Sequence, residues 1–364
     1  MIRLGLYGCG KRTAALLDSL IQDNFYMVHA VFDLNRESAE KLAGKYGGTV
    51  CRSPEELSGF QGIDAFLISL APEAHAEALR KTIPAGKPVF VEKPVSFSAK
   101  EVLELAELAE RFHVLVQVGF MRRYLPDAEA VLDYIGQNPP GRIYSVTGNW
   151  FHQGDMEINY WKRRDPDNFR LKISQIPFHC CHMLDLLLMF GGPASRVCSQ
   201  MVRRDDRPYP SPDDLIAVIE YRNGGNGIFH YSSSSYFGEI SYRLNAEHYS
   251  IRMSIGENQV EIFPRPRFLT SQLGSNPDPA GEFFDFNSSY LRFRQPRILK
   301  LPSGIEFANE QIMYDFIRMV RDGIPPSADL RTAVHVQGLA EAIESSARLR
   351  KSVALTPDGI PVIS

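Results

Sequence analysis

The sequence predicts an α/β domain followed by an α+β domain, and three observations carry that expectation. Short apolar runs alternate with helical patterns through the first third, as in a parallel, doubly wound sheet. After Tyr124 apolar and polar residues alternate, and short polar turns separate the runs, as in an antiparallel sheet. At 364 residues the chain is also too long for one ordinary core. The expected division is 1–122 for the first domain and 123–364 for the second.

Ile2–Tyr7 is the first strand. It enters Gly8-Cys9-Gly10, and a helical pattern follows over Thr13–Ile21. A strand, a glycine turn and a helix place a pyrophosphate on a helix N-terminus. Gly8 permits the tight turn and Gly10 clears space for phosphate, while Thr13 stands where the fingerprint has a third glycine. Tyr26–Phe32 is the second strand and ends on Asp33. An acidic residue about 20 positions past the glycine turn takes the adenosine ribose hydroxyls. Asp33 has a second reading, as N-cap of the helix Glu37–Tyr46. A free carboxylate there disfavours a 2′-phosphate, so NAD is the expected cofactor, and Arg36 keeps NADP open.

Asp64–Ser69 is the next strand, broken by Leu70-Ala71-Pro72 and followed by the helix Glu73–Thr82, with Gly86 as its stop. Val89–Val91 then runs straight into Glu92-Lys93-Pro94. Two charges at the carboxyl end of a buried strand sit where open α/β sheets bind ligands. The helix Ser98–Phe112 and the strand Val114–Val118 close this half.

Pro126–Gly136 is one more helix. Strands are expected at Ile143–Phe151, Arg196–Arg203, Leu215–Arg222, Gly227–Tyr236, Tyr242–Ile251 and Gln259–Ile262, with a helix near 176–190 covering one face. Ser232–Ser235 reads as an exposed or cleft-facing strand. Two helices, Asn309–Asp322 and Leu330–Leu349, end the pattern, and Tyr314, Phe316, Ile317, Met319 and Val320 form a core stripe on the first.

Composition narrows the function classes. Hydrophobic residues make up 44% and charged residues 23%, as in a globular protein. A net charge of −3 gives no basic field for nucleic acid or membrane. Cys9, Cys51, Cys180, Cys181 and Cys198 are an odd, scattered set, which suits a reducing compartment. Neither a signal peptide nor a membrane span is expected, so the protein is expected in the cytoplasm.

Gly8/Gly10, Asp33, the Pro72–His75 loop, Gly86 with Glu92-Lys93-Pro94, and Gly119-Phe120-Met121-Arg122-Arg123-Tyr124 arrive in one order. In that order and spacing the chain resembles the glucose–fructose oxidoreductase / inositol dehydrogenase (Gfo/Idh/MocA) family of NAD(P)-dependent sugar and polyol dehydrogenases. The resemblance implies an N-terminal Rossmann domain and a C-terminal open, mostly antiparallel sheet used for oligomer contacts, hence a homodimer or homotetramer. It implies a cofactor site drawn from Gly8, Gly10, Lys11, Arg12, Thr13, Asp33, Arg36, Ser69, Leu70, Pro72, His75, Glu92, Lys93, Gln117 and Arg122. Lys93 takes an active-site role beside the nicotinamide and the substrate hydroxyl, and Met121 and Arg122 lie at the nicotinamide–substrate junction.

The segment Ile176–Leu187 holds the second group of chemical residues. His179 and His182 share a helix face, with Asp185 one turn on. Three readings are open: a metal site, a packed structural histidine with Asp185 bonded nearby, or a general base near neutrality. No further ligand pair has zinc spacing, so no metal is expected. The family resemblance implies the third reading, with His182 and Asp185 matching the second half of an Asp-x-x-x-His-x-x-Asp arrangement. The family's first Asp is Phe178 in this chain, which leaves either His179 to make the polar contact or an apolar wall at Phe178. Trp161 and Lys162 lie where relatives have a Trp-Arg pair lining the sugar pocket, with an interface anchor as the other reading. Arg163, Arg164, Arg170 and Lys172 form either an anion-receiving cluster or a solvated loop, and Tyr236 is a further substrate candidate.

The expected function is hydride transfer at a CH–OH group of a sugar or polyol, with Lys93 and His182 handling the hydroxyl proton. Two rivals stay open: NAD-assisted, redox-neutral elimination or hydrolysis of a glycoside, and a non-catalytic NAD-responsive regulator.

Overall fold

The apolar runs of the first third pair as six parallel strands. The computed structural model describes residues 1–20, 24–154, 173–204, 210–254, 259–264, 297–301 and 304–363. The first sheet contains β1 (Ile2–Tyr7), β2 (Tyr26–Phe32), β3 (Thr49–Val50), β4 (Ala65–Ile68), β5 (Val89–Val91) and β6 (Val116–Val118), in the order β3-β2-β1-β4-β5-β6. Every neighbouring pair is parallel. The helices between them are α1 (Lys11–Asp18), α2 (Arg36–Tyr46), α3 (Pro54–Ser58), α4 (Pro72–Thr82) and α5 (Ala99–Arg111). Strand order reverses between β1 and β4, so a crevice opens at the carboxyl ends of the strands there. Ser98 caps α5 by accepting the Glu101 N–H, an ordinary use of serine at a helix start.

A short 3-10 turn (Met121–Tyr124) and α6 (Pro126–Gln137) lead into the second sheet. Its strands are β7 (Ile143–Gln153), β8 (Ala194–Val202), β9 (Asp214–Tyr221), β10 (Asn226–Ser232), β11 (Ser234–Ala246), β12 (Tyr249–Ser254), β13 (Gln259–Pro264), β14 (Arg297–Lys300), β15 (Val353–Leu355) and β16 (Pro361–Val362). The order is β14-β13-β12-β11-β7-β10-β9-β8-β15-β16. β7 and β10 pair in parallel and the remaining neighbours antiparallel. Two short helices, α7 (Gln175–Phe178) and α8 (Cys181–Gly191), cover the inner face together with α10 (Leu330–Leu349). Close approach of α8 to β7 needs Gly148, where a Cβ would meet Met183 Sδ at 2.4 Å.

Helix α9 (Ile305–Asp322) returns to the first sheet. Its Ala308, Ile312, Met313 and Phe316 are buried with Leu4, Leu6, Leu16, Leu67 and Phe90. Phe90 and Phe316 meet edge to face, with ring centroids 5.8 Å apart. Phe316, Ile317 and Met319 of the expected stripe are buried, while Tyr314 and Val320 are half-buried against the same core.

Several boundaries differ from expectation. Helix α1 starts two residues early because Gly10 is its N-cap, and residue 21 lies outside the described residues. The expected strand 227–236 ends at Ser232, and 242–251 is cut by a turn at Glu247-His248. Ser232 and Ser233 are buried, and the Ser233 hydroxyl donates to the Pro212 carbonyl at 3.1 Å. The first half of the serine run is thus a buried corner, while Ser234 and Ser235 open the next strand, with Ser234 exposed. Asp33 does not cap α2, since the cap is Asn35, whose side chain accepts the Ser38 N–H.

Candidate active site

The carboxyl ends of β1, β2, β4, β5 and β6 gather the residues around the crevice. Gly8 has φ +93°, and a Cβ there would lie 2.2 Å from the Ser69 carbonyl oxygen, so the turn after β1 accepts glycine alone. A Cβ at Gly10 would meet nothing within 4 Å, which leaves open space over the first turn of α1. That combination fits a dinucleotide phosphate lying over the turn. Thr13 is fully buried, and its hydroxyl donates to the Gly8 carbonyl at 2.7 Å. Its side chain therefore braces the turn from beneath, on the side away from a ligand.

Asp33 accepts the Cys9 N–H at 2.7 Å and the Asn35 N–H at 2.8 Å. Both oxygens are thus oriented by backbone at the end of β2. Lys11 is exposed on α1, and Arg36 is exposed and paired with Glu40. Ser69 and Leu70 are half-buried at the end of β4, and Pro72 is buried in the first turn of α4. His75 is buried in a structural clamp, where Nε2 accepts the Leu70 N–H at 3.2 Å and Nδ1 donates to the Pro94 carbonyl at 2.8 Å. Desolvation lowers its pKa, which suits the neutral ring these bonds require.

Glu92 is buried beside Gly119, where a Cβ would stand 3.0 Å from the carboxylate. Arg12 Nε donates to Glu92 at 2.6 Å and Nη1 donates to Asn309 of α9, also at 2.6 Å. Gln117 is fully buried below the crevice and donates to the Ile312 carbonyl at 3.0 Å, so its amide anchors α9.

The peptide Lys93–Pro94 is cis. Lys93 Nζ donates to the Phe178 carbonyl at 3.1 Å and lies 5.3 Å from the centre of that ring. Phe178 is buried, and its ring stacks on His179 at 4.5 Å. Where the resemblance has a carboxylate, this chain thus offers Lys93 a carbonyl dipole and an aromatic face.

His182, on α8, is buried, with Nδ1 lacking a hydrogen-bond partner, and its ring meets Phe120 edge to face at 6.4 Å. Burial drives its pKa well below the ordinary value, and the charges of Lys93 and Arg122 push the same way. The ring is therefore neutral near pH 7, able to accept a proton and poorly able to keep it. Asp185 does not orient His182. It is fully buried in a bidentate pair with Arg123, at 2.8 and 2.6 Å, and Arg123 also donates to the Ser327 carbonyl. Burial raises the Asp185 carboxyl while the guanidinium opposes the rise.

Met121 is half-buried in the turn beside Arg122. The Arg122 guanidinium lies 4.4 Å from the centre of the Trp150 ring on β7, and its Nη1 is buried without a hydrogen-bond partner. Tyr236 stands apart. It is 94% exposed on a bulge of β11, between the pairs Ser234–Gln153 and Glu239–Phe151, so it points into solvent and does not line the crevice. Trp161, Lys162 and the cluster Arg163, Arg164, Arg170 and Lys172 lie outside the described residues. Among the described residues, no cluster of three or more His, Cys, Asp or Glu is arranged for a metal ion, and no helix is long and apolar enough to cross a membrane.

Trp150, Arg123 and Asn309 escaped the sequence reading. Arg123 sits inside the Met-Arg-Arg segment that was read for Arg122, so a signal was present. Asn309 acts across 297 residues, a separation no local pattern reports.

Comparison with known proteins agrees with this architecture. The chain is 25% identical over 198 residues to the rhizopine catabolism protein MocA of Rhizobium meliloti, covering 48% of this chain and 62% of that protein. It is 28% identical over 162 residues to an inositol 2-dehydrogenase of Rhizobium meliloti strain 1021, covering 44% and 49%. The chain thus spans less than two thirds of the length of either relative. In fold it is similar to the WlbA dehydrogenase of Bordetella pertussis, solved with NADH and UDP-GlcNAcA, at TM-score 0.77 and 21% identity over 98% of both chains. Residues 2–120 match the family model for an oxidoreductase NAD-binding Rossmann fold, and residues 133–355 match the same family's C-terminal alpha/beta domain. With both halves matched, the chain belongs to the Gfo/Idh/MocA family of oxidoreductases.

Proposed function

We propose that this protein is an NAD-dependent dehydrogenase that acts on a CH–OH group of a sugar or polyol, with Lys93 and His182 handling the hydroxyl proton. The observation that carries this reading is the pairing at one crevice of an anchored ammonium just past β5 with a buried, neutral histidine on α8. The relative that acts on inositol supports the substrate class. Asp33, oriented by two backbone N–H groups, favours ribose hydroxyls over a 2′-phosphate and hence NAD over NADP.

A nicotinamide bound in the crevice supplies the hydride acceptor or donor. The chain's own part is positioning and proton movement. An ammonium has three donors. Phe178 takes one from Lys93, leaving two for the reacting oxygen and its developing negative charge. His182 takes the hydroxyl proton in oxidation and returns it in reduction. Burial, and then its cationic neighbours, disfavour the imidazolium, so the ring returns to the neutral form that can accept a proton again. His75 holds Pro94 and Arg12 holds Glu92, so both flanks of Lys93 are tethered.

The outer face of the second sheet supports a homo-oligomer. Ile216, Val218 and Ile228 are exposed on adjacent strands, with Val218 and Ile228 directly paired.

The test is Lys93→Met. Turnover of a responsive sugar or polyol, followed at 340 nm, should fall by about 10²–10⁴-fold. NADH binding, followed by fluorescence, should stay within a few-fold of the parent. Full activity in this variant would refute the assignment.

A further inference from the structure

We infer that the substrate carries an anionic group, a carboxylate or a phosphate, and that Arg122 receives it. This rests on the dehydrogenase reading and deepens it.

Among the described residues, four cations stand around the crevice: Arg12, Lys93, Arg122 and Arg123. Two are neutralised, Arg12 by Glu92 and Arg123 by Asp185. Among the described residues, neither Lys93 nor Arg122 has a carboxylate within ion-pair distance. Asp127, a nearby buried acid, accepts the Ala128 N–H at 2.9 Å; it lies beyond ion-pair distance of Arg122, although the charge of Arg122 still acts on it. Among the described residues, the crevice thus holds two positive charges that no ion pair neutralises.

Arg122 is also arranged as a receptor. Its plane is fixed over Trp150, and its Nη1 is buried without a partner. A stacked guanidinium is preorganised for two-point contact with a carboxylate or phosphate. A neutral hydroxyl would satisfy one N–H and leave the charge uncompensated in a closed site.

The anion is not the cofactor's pyrophosphate. The glycine turn follows β1 and Arg122 follows β6, with β4 and β5 between them. Three strand spacings of ~4.8 Å separate the two places by roughly 14 Å. Lys93, by contrast, follows β5, the strand beside β6, so the anion receptor belongs to the end of the crevice where the proton chemistry lies.

The experiment is calorimetric titration of glucose, myo-inositol, glucuronate and glucose 6-phosphate into the NADH-loaded protein, with NADH formation from NAD measured in parallel. The expected result is that glucuronate or glucose 6-phosphate binds at least about tenfold more tightly than either neutral compound, less so at high salt. Whichever of the two binds identifies carboxylate or phosphate. Arg122→Gln should reduce the preference by about 10–100-fold, the worth of a hydrogen bond to a charged group. Arg122→Lys should retain part of it, which separates charge recognition from misfolding. The inference is overturned if the neutral compounds bind as well as the anions, if no anion-dependent binding is seen, or if Arg122→Gln leaves the ratio unchanged. Anion-dependent binding without NADH formation would instead refute the dehydrogenase reading and leave this inference standing. NADH formation from neutral polyols without anion preference would do the reverse.

Discussion

Replacing Arg123 by methionine should unbalance the protein more than any exposed charge change. The Asp185 carboxylate is 0% exposed and the Arg123 side chain 12% exposed, so water does not replace the lost partner. Arg123→Met removes both hydrogen bonds to Asp185 and the bond to the Ser327 carbonyl. A carboxylate orphaned in this way costs about 3–5 kcal/mol. That is a large share of the roughly 5–15 kcal/mol that stabilises an ordinary domain. The double variant Arg123→Met/Asp185→Leu removes the orphan charge as well and should regain most of the loss. The assay is urea unfolding followed by circular dichroism on the parent, both single variants and the double variant. A cost under about 1 kcal/mol for Arg123→Met, the value of an exposed pair, would refute the reasoning. So would a double variant no more stable than Arg123→Met. Because the pair ties α8 to the turn bearing Arg122, the single variant should also lose turnover.

The His182 environment sets a pH dependence. Its pKa lies well below 6.5 in the folded protein and near 6.5 in the unfolded chain. Below about 6.5 the unfolded state therefore binds a proton that the native state refuses, so stability falls as pH drops from there and is level above it. His182→Gln should flatten that slope in denaturation measured from pH 5 to 8. The acid limb of kcat/KM should lie well below 6.5, and a His182-dependent limb between 6.5 and 7 would contradict the assignment. For the outer sheet, Val218→Lys/Ile228→Lys should convert an oligomer to monomer in light scattering. A monomeric parent, or an unchanged mass in the variant, would dismiss that surface as the interface.

Much of the scaffold was legible because its strands are short, mostly apolar and punctuated. Val89–Val91 and Ile2–Tyr7 stand where their composition put them. The hairpin at Glu247-His248 was missed because no glycine or proline marks the turn; its trace is a change of phase, from buried Tyr242 and Leu244 to buried Tyr249 and Ile251. Strands β15 and β16 have three and two residues, too few to register a period, and gain their identity by pairing, β15 with β8 and β16 with β15. At the site, Lys93 and His182 could be named because each residue type announces its chemistry. Their partners could not. The Phe178 carbonyl that receives Lys93 is backbone, which sequence does not distinguish from any other carbonyl. Asp185 was expected near a backbone group or a ring nitrogen and is bound to Arg123, 62 residues away, because burial demands a full countercharge.

Helix α9 has a consequence for how the molecule is made. Its Ala308, Ile312 and Phe316 complete the core under β1 and β5, and Asn309 holds the arginine that steadies Glu92. A ribosome releases residues 1–122 long before residues 305–322 exist. During that interval the emerging first sheet has one apolar face uncovered and Arg12 lacks its amide partner. The nucleotide half is therefore finished only once residues 305–322 have been made, and an excised N-terminal fragment would carry a bare flank in place of a working cofactor site.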